Sequence, residues 1–289
     1  MRVTLLHNPT AGDEEHGVDS LMAAIAAAGH EVTARSMKAD WEETLRGPAD
    51  LVVAAGGDGT VRRVFRALAG SSVLATLFPV GSANNIARSL GFAPEDDPAE
   101  LAADWEEGEL RSFDIGALGG ARFAESAGGG IFADVLARDE ESEADPGGED
   151  KVGHGLRLLR AVVEEAPVRQ WQVAVDGEDH SGELLALTAM NVHETGANIP
   201  LAPGADPCDG LLDIVFVRPE HRSALSAYVQ RRLDGADPEP LTLEVLRGRR
   251  LELSPPQDAR LHVDSELVPR TDGAEVCLTS SVTVLVPRR

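Results

Sequence analysis

Residues Leu51–Ala69 read LVVAAGGDGTVRRVFRALA. An apolar run ends in Gly56-Gly57-Asp58-Gly59, and Val61, Val64, Phe65 and Leu68 then recur at helical spacing. A strand, a glycine turn and a helix in immediate succession outline a phosphate-binding βα unit of a parallel sheet. The spacing fits neither of two familiar phosphate loops. A P-loop carries Lys and Ser/Thr after its last glycine, whereas Thr60 and Val61 follow Gly59. A dinucleotide fingerprint needs glycine at position 62, which is Arg.

The same alternation extends on both sides of this stretch. "RVTLL" reads as a strand, and a helix fits Asp19 to Ala28 with Gly29 placed to end it. "EVTARS" is a second strand, and Asp40 with Glu43 resembles a capping box for "WEETLR". "DLVVAA" is apolar throughout, as a strand buried on both faces requires. "VLATLFPV" is a fourth strand that leads into "GSANN" and a helix over "IARSL", closed by Gly91. Asp97-Pro98-x-Glu100 marks a further helix start. Strands alternating with helices predict a doubly wound, mostly parallel α/β domain.

Past about Leu110 the texture changes. Strand-like runs follow one another from "RSFDIGAL", "ARFAESA" and "RQWQVAV" through to "AEVCLT" and "SVTVLVP". Helical patterns interrupt them only at "VGHGLRLLRAVVEEA" and "PEHRSALSAYVQRRL". Many short strands with turn signals between them predict a mainly-β, sandwich-like second domain. The acidic run "RDEESEADPGGED" can bury nothing and reads as a loop. The expected division is an α/β domain over 1–118 and a β-sandwich domain over 119–280, with the last strand, about 281–289, rejoining the first.

Charge limits the partners. Lys and Arg total 26 and Asp and Glu 49 in 289 residues, a formal net charge of −23. Nucleic-acid binding needs the opposite sign, so no nucleic-acid partner is expected. No stretch approaches the ~20 apolar residues of a membrane-spanning helix. The start shows no signal-peptide pattern, and two cysteines make neither a metal spacing nor a disulfide framework, so the expected location is cytoplasmic. The eight histidines show no zinc spacing, and no Gly-x-Ser-x-Gly elbow appears.

Three glycine-bearing loops, "HNPTAG", "GGDGT" and "PVGSANN", follow strands one, three and four. In a parallel sheet all three lie at the carboxyl edge, where ligands bind. One such loop is an ordinary tight turn; three together point to an anion site. Asp58 is the unexpected member, since a carboxylate repels phosphate unless a cation such as Mg²⁺ lies between them. The alternative use of Asp58 is to cap the helix beginning near Thr60.

With these residues in hand, the sequence resembles the diacylglycerol kinase catalytic family, which includes bacterial lipid kinases and sphingosine kinases. "GGDGT" is shared with NAD kinases. "NPTAG", "PVGSANNIARSLG", "DIGAL", "AESAGGGIFADV" and "LAPGADPCDGLLDIVFV" follow in family order along nearly the whole chain and favour the lipid kinases. The resemblance implies ATP-dependent phosphoryl transfer to a lipid hydroxyl, with ATP and Mg²⁺ as cofactors. By carry-over, Asn8, Pro9, Gly12, Gly56, Gly57, Gly59, Thr60, Ser82 and Asn84 surround ATP, Ser36 matches more weakly, and Asp58 acts with Mg²⁺. Asp209 and Asp213 match a structural metal site. The implied partners are ATP and a lipid alcohol, with transient contact at a membrane surface compatible. The oligomeric state is left open, a homodimer included.

The family's base lies in an Asp-Gly-Glu near the C-terminus, and two segments compete for it. Asp176-Gly177-Glu178 lies between two strand-like runs and reads as a hairpin turn. Asp264-Ser265-Glu266 matches by position, and residues flanking Ser265 are expected to point the same way. One carboxylate would take the proton of the attacking hydroxyl while the other orients it. The chain departs from the family pattern at Arg62, Arg63, Asn85, Cys208 and Ser265. Two other readings therefore stay open, a nucleotide-binding regulator without turnover and a kinase of NAD or a non-lipid alcohol.

Overall fold

The apolar runs of the first third become a parallel sheet. The structure is a computed structural model that describes residues 1–11, 17–93, 95–142 and 151–288. Strands β1 (Arg2–His7), β2 (Glu31–Ser36), β3 (Leu51–Gly56) and β4 (Leu74–Pro79) lie in the order β2-β1-β3-β4. All are parallel, with Leu5 beside both Ala34 and Val53 and Ala54 beside Leu77. Every residue of β3 is buried, as helices on both faces require. The helices are α1 (Val18–Ala27), α2 (Asp58–Leu68), α3 (Asn85–Ser89) and α4 (Pro98–Ala103). Because β2 and β3 flank β1 on opposite sides, the winding reverses there, and the loops after β1 and β3 diverge from one crevice.

Local signals act as the sequence suggests at α1, closed by Gly29 at φ +84°, and at α4, where Asp97 accepts from the backbone N–H groups of Ala99 and Glu100. The Asp40/Glu43 capping box is not formed. Glu42–Arg46 is a 3₁₀ helix that begins after Trp41, without a side-chain cap. Trp41 is buried, so its packing sets where the turn begins.

The chain divides into two compact units, 1–115 with 280–289, and 116–279. Strand β5 (Glu109–Leu118) runs across the first boundary, and its last residues pair antiparallel with β6 (Ala121–Phe123). The second unit is built on a six-stranded antiparallel sheet. It contains β7 (Ser126–Gly130), followed by helices α5 (Ile131–Glu140) and α6 (Lys151–Glu165) and the strands β8 (Arg169–Val175), β9 (Glu178–Asp179), β10 (Gly182–Leu184), β11 (Ala186–Met190) and β12 (Leu212–Val217). Helix α7 (Arg222–Leu233) precedes β13 (Glu244–Gly248), β14 (Arg250–Ser254), β15 (Leu261–Val263), β16 (Glu266–Val268) and β17 (Ala274–Val286). The six-stranded order is β13-β12-β11-β7-β15-β16. One face packs Ala127, Leu187, Ile214 and Leu261 against Trp171, Val173, Leu251 and Val276 of the β8-β14-β17 layer. The other packs Met190 and Val215 against Leu159, Val163 and Leu225 of the helices. The sandwich thus carries a helical layer.

Three details differ from the sequence reading. Helix α5 was unexpected, because Gly130 at φ +84° turns the chain out of β7 directly into it. The start of the acidic run, through Glu140, belongs to α5; positions 143–150 lie outside the described residues. "AEVCLT" and "SVTVLVP" are one strand, β17. Its last residues belong to the first unit, where Val284 pairs parallel with Ala75 and Thr76 Oγ1 donates to the carbonyl of Leu285 at 2.8 Å.

Candidate active site

In the first unit the β3–α2 and β4–α3 loops interlock. Gly56 closes β3 against the side chain of Thr60, where a Cβ would meet Thr60 Oγ1 at 2.4 Å. Gly57 and Gly81 pack backbone to backbone, and a Cβ on Gly81 would lie 2.2 Å from Gly57 Cα. Asn84, at φ +53°, accepts from Gly81 N–H with Oδ1 and donates through Nδ2 to the carbonyls of Pro79 and Gly81. Its side chain braces the loop. On the β1 side, Asn8 N–H donates to Ala55 O at 3.0 Å, while Asn8 Oδ1 accepts from the N–H and hydroxyl of Thr10. Ser36 Oγ, at the end of β2, accepts from Lys38 N–H.

Asp58 ties the two glycine loops together. Helix α2 begins at Asp58 itself, with Gly57 as N-cap and no side-chain cap, so the expected capping of α2 by Asp58 is not seen. The carboxylate crosses instead to the start of α3 and accepts from Ile86 N–H at 2.9 Å. Burial pushes the Asp58 carboxyl above its ordinary range, although Ile86 and Asn85 N–H groups and the charge of Arg62 pull the other way. A carboxylate at a glycine turn is the hard oxygen donor that Mg²⁺ takes, since it commonly binds one or two carboxylates together with phosphate oxygens and water. Among the described residues no group of three or more His, Cys, Asp or Glu gathers.

In the second unit, Asp264-Ser265 is the two-residue turn between β15 and β16, with Val263 opposite Glu266. Asp264 takes φ +52°, so the alternation expected of a strand does not apply. The Asp264 carboxylate is buried and accepts from three backbone N–H groups, those of Ala124, Glu125 and Ser126, at 2.8–3.2 Å. Glu266 is exposed. Beneath the turn His262 is fully enclosed, and burial lowers its pKa to about 4, while Nδ1 lies 3.1 Å from Asp264 O. Asp176-Gly177 is the β8–β9 turn with both residues at positive φ, as the hairpin reading requires, and Asp176 accepts from Arg249 and Arg250 N–H.

Asp209 and Asp213 lie together beside an arginine. Asp213 on β12 pairs in register with Arg247 on β13, and the Arg247 guanidinium bonds Asp209 Oδ2 and lies 3.9 Å from Asp213 Oδ2. The other oxygen of Asp209 accepts from Leu211 N–H. Both carboxylates thus face one guanidinium in this arrangement.

Similarity to other proteins follows the same division. Residues 2–118 match the diacylglycerol kinase catalytic domain, and residues 130–286 match the YegS C-terminal NAD kinase beta sandwich-like domain. A "Probable lipid kinase YegS-like" of Pseudomonas aeruginosa is 36% identical over 221 residues, 73% of this chain and 70% of that protein. The chain belongs to the diacylglycerol kinase and YegS-like lipid kinase family. A diacylglycerol kinase of Bacillus subtilis is 26% identical over 300 residues, 99% of this chain and 97% of that one. A crystal structure of a diacylglycerol kinase from Bacillus anthracis shares the fold at TM-score 0.72 and 19% identity over 99% and 96% of the two chains. Yeast NADH kinase complexed with NADH shares it more loosely, at TM-score 0.56 and 11% identity over 100% and 84%.

In this family member the structure brings Gly56, Gly57, Asp58, Gly59, Thr60 and Asn84 to one interlocked pair of loops, with Asn8 joined to them through Ala55. Pro9 and Ser82 are exposed on the adjoining turns, Ser36 ends β2, and Gly12 lies outside the described residues. Two groups escaped the sequence reading. Ile86, an apolar residue, acts through its backbone N–H, which leaves no composition signal. Arg247 is separated from Asp213 by a long stretch of sequence, and only the β12–β13 register joins them.

Proposed function

We propose that this kinase transfers the γ-phosphoryl group of ATP to the hydroxyl of a lipid alcohol of the diacylglycerol type, with Mg²⁺. The observation that carries the reading is the interlock of Gly57, Gly81 and Asp58 at the carboxyl edge, with the Gly57–Asp58 loop bordering the crevice beside β1 where the winding reverses. The N-terminus of α2 lies at the end of this glycine loop, where Thr60 and Val61 N–H donate to Gly57 O at 2.9 and 3.1 Å, and the positive end of the helix dipole there suits an anion. Gly56, Gly57, Gly59, Thr60, Asn8, Pro9, Gly12, Ser36 and Ser82 line the nucleotide, and Asn84 holds the loop that carries Ser82. Asp58 holds Mg²⁺, which supplies countercharge to the phosphates. Dominance of positioning and electrostatics is what this chemistry requires.

For the acceptor, Glu266 takes the hydroxyl proton as that oxygen bonds to the γ-phosphorus and the bond to the β–γ bridging oxygen breaks, releasing ADP. Asp264, with its oxygens engaged by three N–H donors, fixes the turn that presents Glu266. The test is ATP turnover with Mg²⁺ against diacylglycerol, other lipid alcohols and NAD, beside Asp58→Asn and Glu266→Gln. Lipid-stimulated turnover lost in both variants supports the reading and names the acceptor. Turnover on NAD alone replaces the acceptor, and ATP binding with no turnover on any of them makes the protein a nucleotide-binding regulator.

A further inference from the structure

Arg62 and Arg63 are adjacent, but their side chains do different things. Arg62 serves the charge of Asp58. Arg63 turns to the outer side of α2, with its guanidinium 5.4 Å from the ring centre of the buried Trp41. There it lines an open groove of about 580 Å³ together with Arg46, the last residue of the 3₁₀ helix, and Arg66, one turn further along α2. Trp41, Leu45 and Leu68 supply an apolar wall, and Glu42 is the one carboxylate among the lining residues. Three guanidiniums against one carboxylate give the groove a charge of +2, in a chain whose net charge is −23. Acidic residues outnumber Lys and Arg by 49 to 26, yet neither Arg46 nor Arg63 has an ion-pair partner among the described residues.

We infer that this groove is a binding site for a phosphate-bearing ligand, separate from the glycine loops. Guanidinium groups are the side chains whose planar donor fork matches phosphate oxygens, and two or three converging from different elements define a site where one does not. The apolar wall beside them suits a phosphate carried on an apolar body, and Trp41 lies under one of the donors, so occupancy is felt by an indole. The same chemistry has two sources, a free phosphate compound and the headgroup of an acidic lipid. Residues 58 and 63 share α2, about 7.5 Å apart along the helix axis. A ligand on Arg63 therefore sits on the helix whose N-terminus forms the nucleotide loop.

The experiment uses the full chain, with tryptophan emission and thermal unfolding followed in two titrations. One adds inorganic phosphate; the other adds vesicles of phosphatidylcholine with or without phosphatidic acid. A saturable response in the wild type, weakened at least about tenfold in Arg46→Gln/Arg63→Gln, is expected, since each charge-assisted hydrogen bond contributes substantially. Response to phosphate identifies the free anion, and response only to phosphatidic acid vesicles identifies the lipid headgroup. Phosphate held by the glycine loops survives the double substitution, so an unchanged titration in the variant overturns the site. So does silence of the wild type toward both probes. Arg63→Gln alone gives the same discrimination should the double variant unfold early.

Discussion

Gly57 and Gly81, on loops that follow different strands, touch so closely that a single methyl on Gly81 would sit 2.2 Å from Gly57 Cα. The obstacle is backbone, which cannot rotate away as a side chain can. Gly81→Ala must therefore part the two loops, at a strain cost of about 1–3 kcal/mol. The expected outcome is a lower unfolding temperature together with ATP affinity reduced by roughly tenfold or more, read by thermal melting and calorimetric titration. Unchanged ATP affinity would show that the nucleotide does not depend on this contact.

Asp58 sets stability against activity. Burial holds its carboxyl above the ordinary range, so the folded state disfavours the charged form. With a folded pKa above the unfolded one, its contribution to stability is complete below the unfolded value and is lost as pH rises through the folded one. Asp58→Asn removes the buried charge while keeping an oxygen for Ile86 N–H. At neutral pH the variant is expected to melt at or above the wild-type temperature, while turnover falls by roughly a hundredfold or more, the scale of losing a group that stabilises transition-state charge. Melting and initial-rate measurements on the same preparations decide it, and a variant that both melts lower and stays active contradicts the assignment.

The α/β half was legible because its signals are local. The continuous apolar run of β3, Gly29 after α1 and Asp97 before α4 each carry their cause within a few residues. The three-loop edge was legible too, since parallel order places those loops together once the strands are known. What stayed hidden depends on pairing across distant segments. The crossing of Asp58 to Ile86, the three N–H donors on Asp264 and the opposition of Asp213 and Arg247 all need the fold first. The capping box at Asp40 failed for the complementary reason, a local signal overruled by burial of Trp41.

Asp264 and Glu266 separate into different roles under substitution. Asp264→Ala leaves the N–H groups of Ala124, Glu125 and Ser126 without their acceptor and puts a non-Gly residue unsuited to φ +52° in the turn. A loss of about 2–4 kcal/mol follows from the unsatisfied buried donors. Glu266→Gln is exposed and should melt like the wild type, yet lose roughly 10²- to 10⁴-fold in turnover if it is the base. Denaturant unfolding and steady-state kinetics on both variants test the division. Equal loss of stability in the two would remove it.

His262 makes the second unit sensitive to acid. Its ring is fully enclosed, and burial lowers its pKa from 6.5 to about 4. The unfolded chain therefore binds this proton more readily, and stability falls as pH drops from about 6.5 toward 4. Over that window the single group accounts for about 3 kcal/mol, from the difference between the two pKa values. His262→Phe should flatten this part of the pH–stability curve measured by denaturant titration. A slope as steep as that of the wild type would assign the acid sensitivity elsewhere.

Arg247 supplies the last test, because it stands where the family resemblance implies a metal. Asp213 is buried on β12, and burial raises its carboxyl pKa while Arg247 opposes the rise. Removing the guanidinium in Arg247→Ala leaves Asp213 and Asp209 facing each other without a cation. Since Arg247 is half exposed, the loss is expected between that of a surface pair and a buried one, about 1–2 kcal/mol. The wild-type melting temperature should be indifferent to chelator and to added Ca²⁺ or Mg²⁺, whereas the variant, with two carboxylates freed of their arginine, should gain stability from the added ion. Chelator sensitivity of the wild type would mean that a metal shares this site with Arg247, and the ion pair would then be only part of what holds β12 to β13.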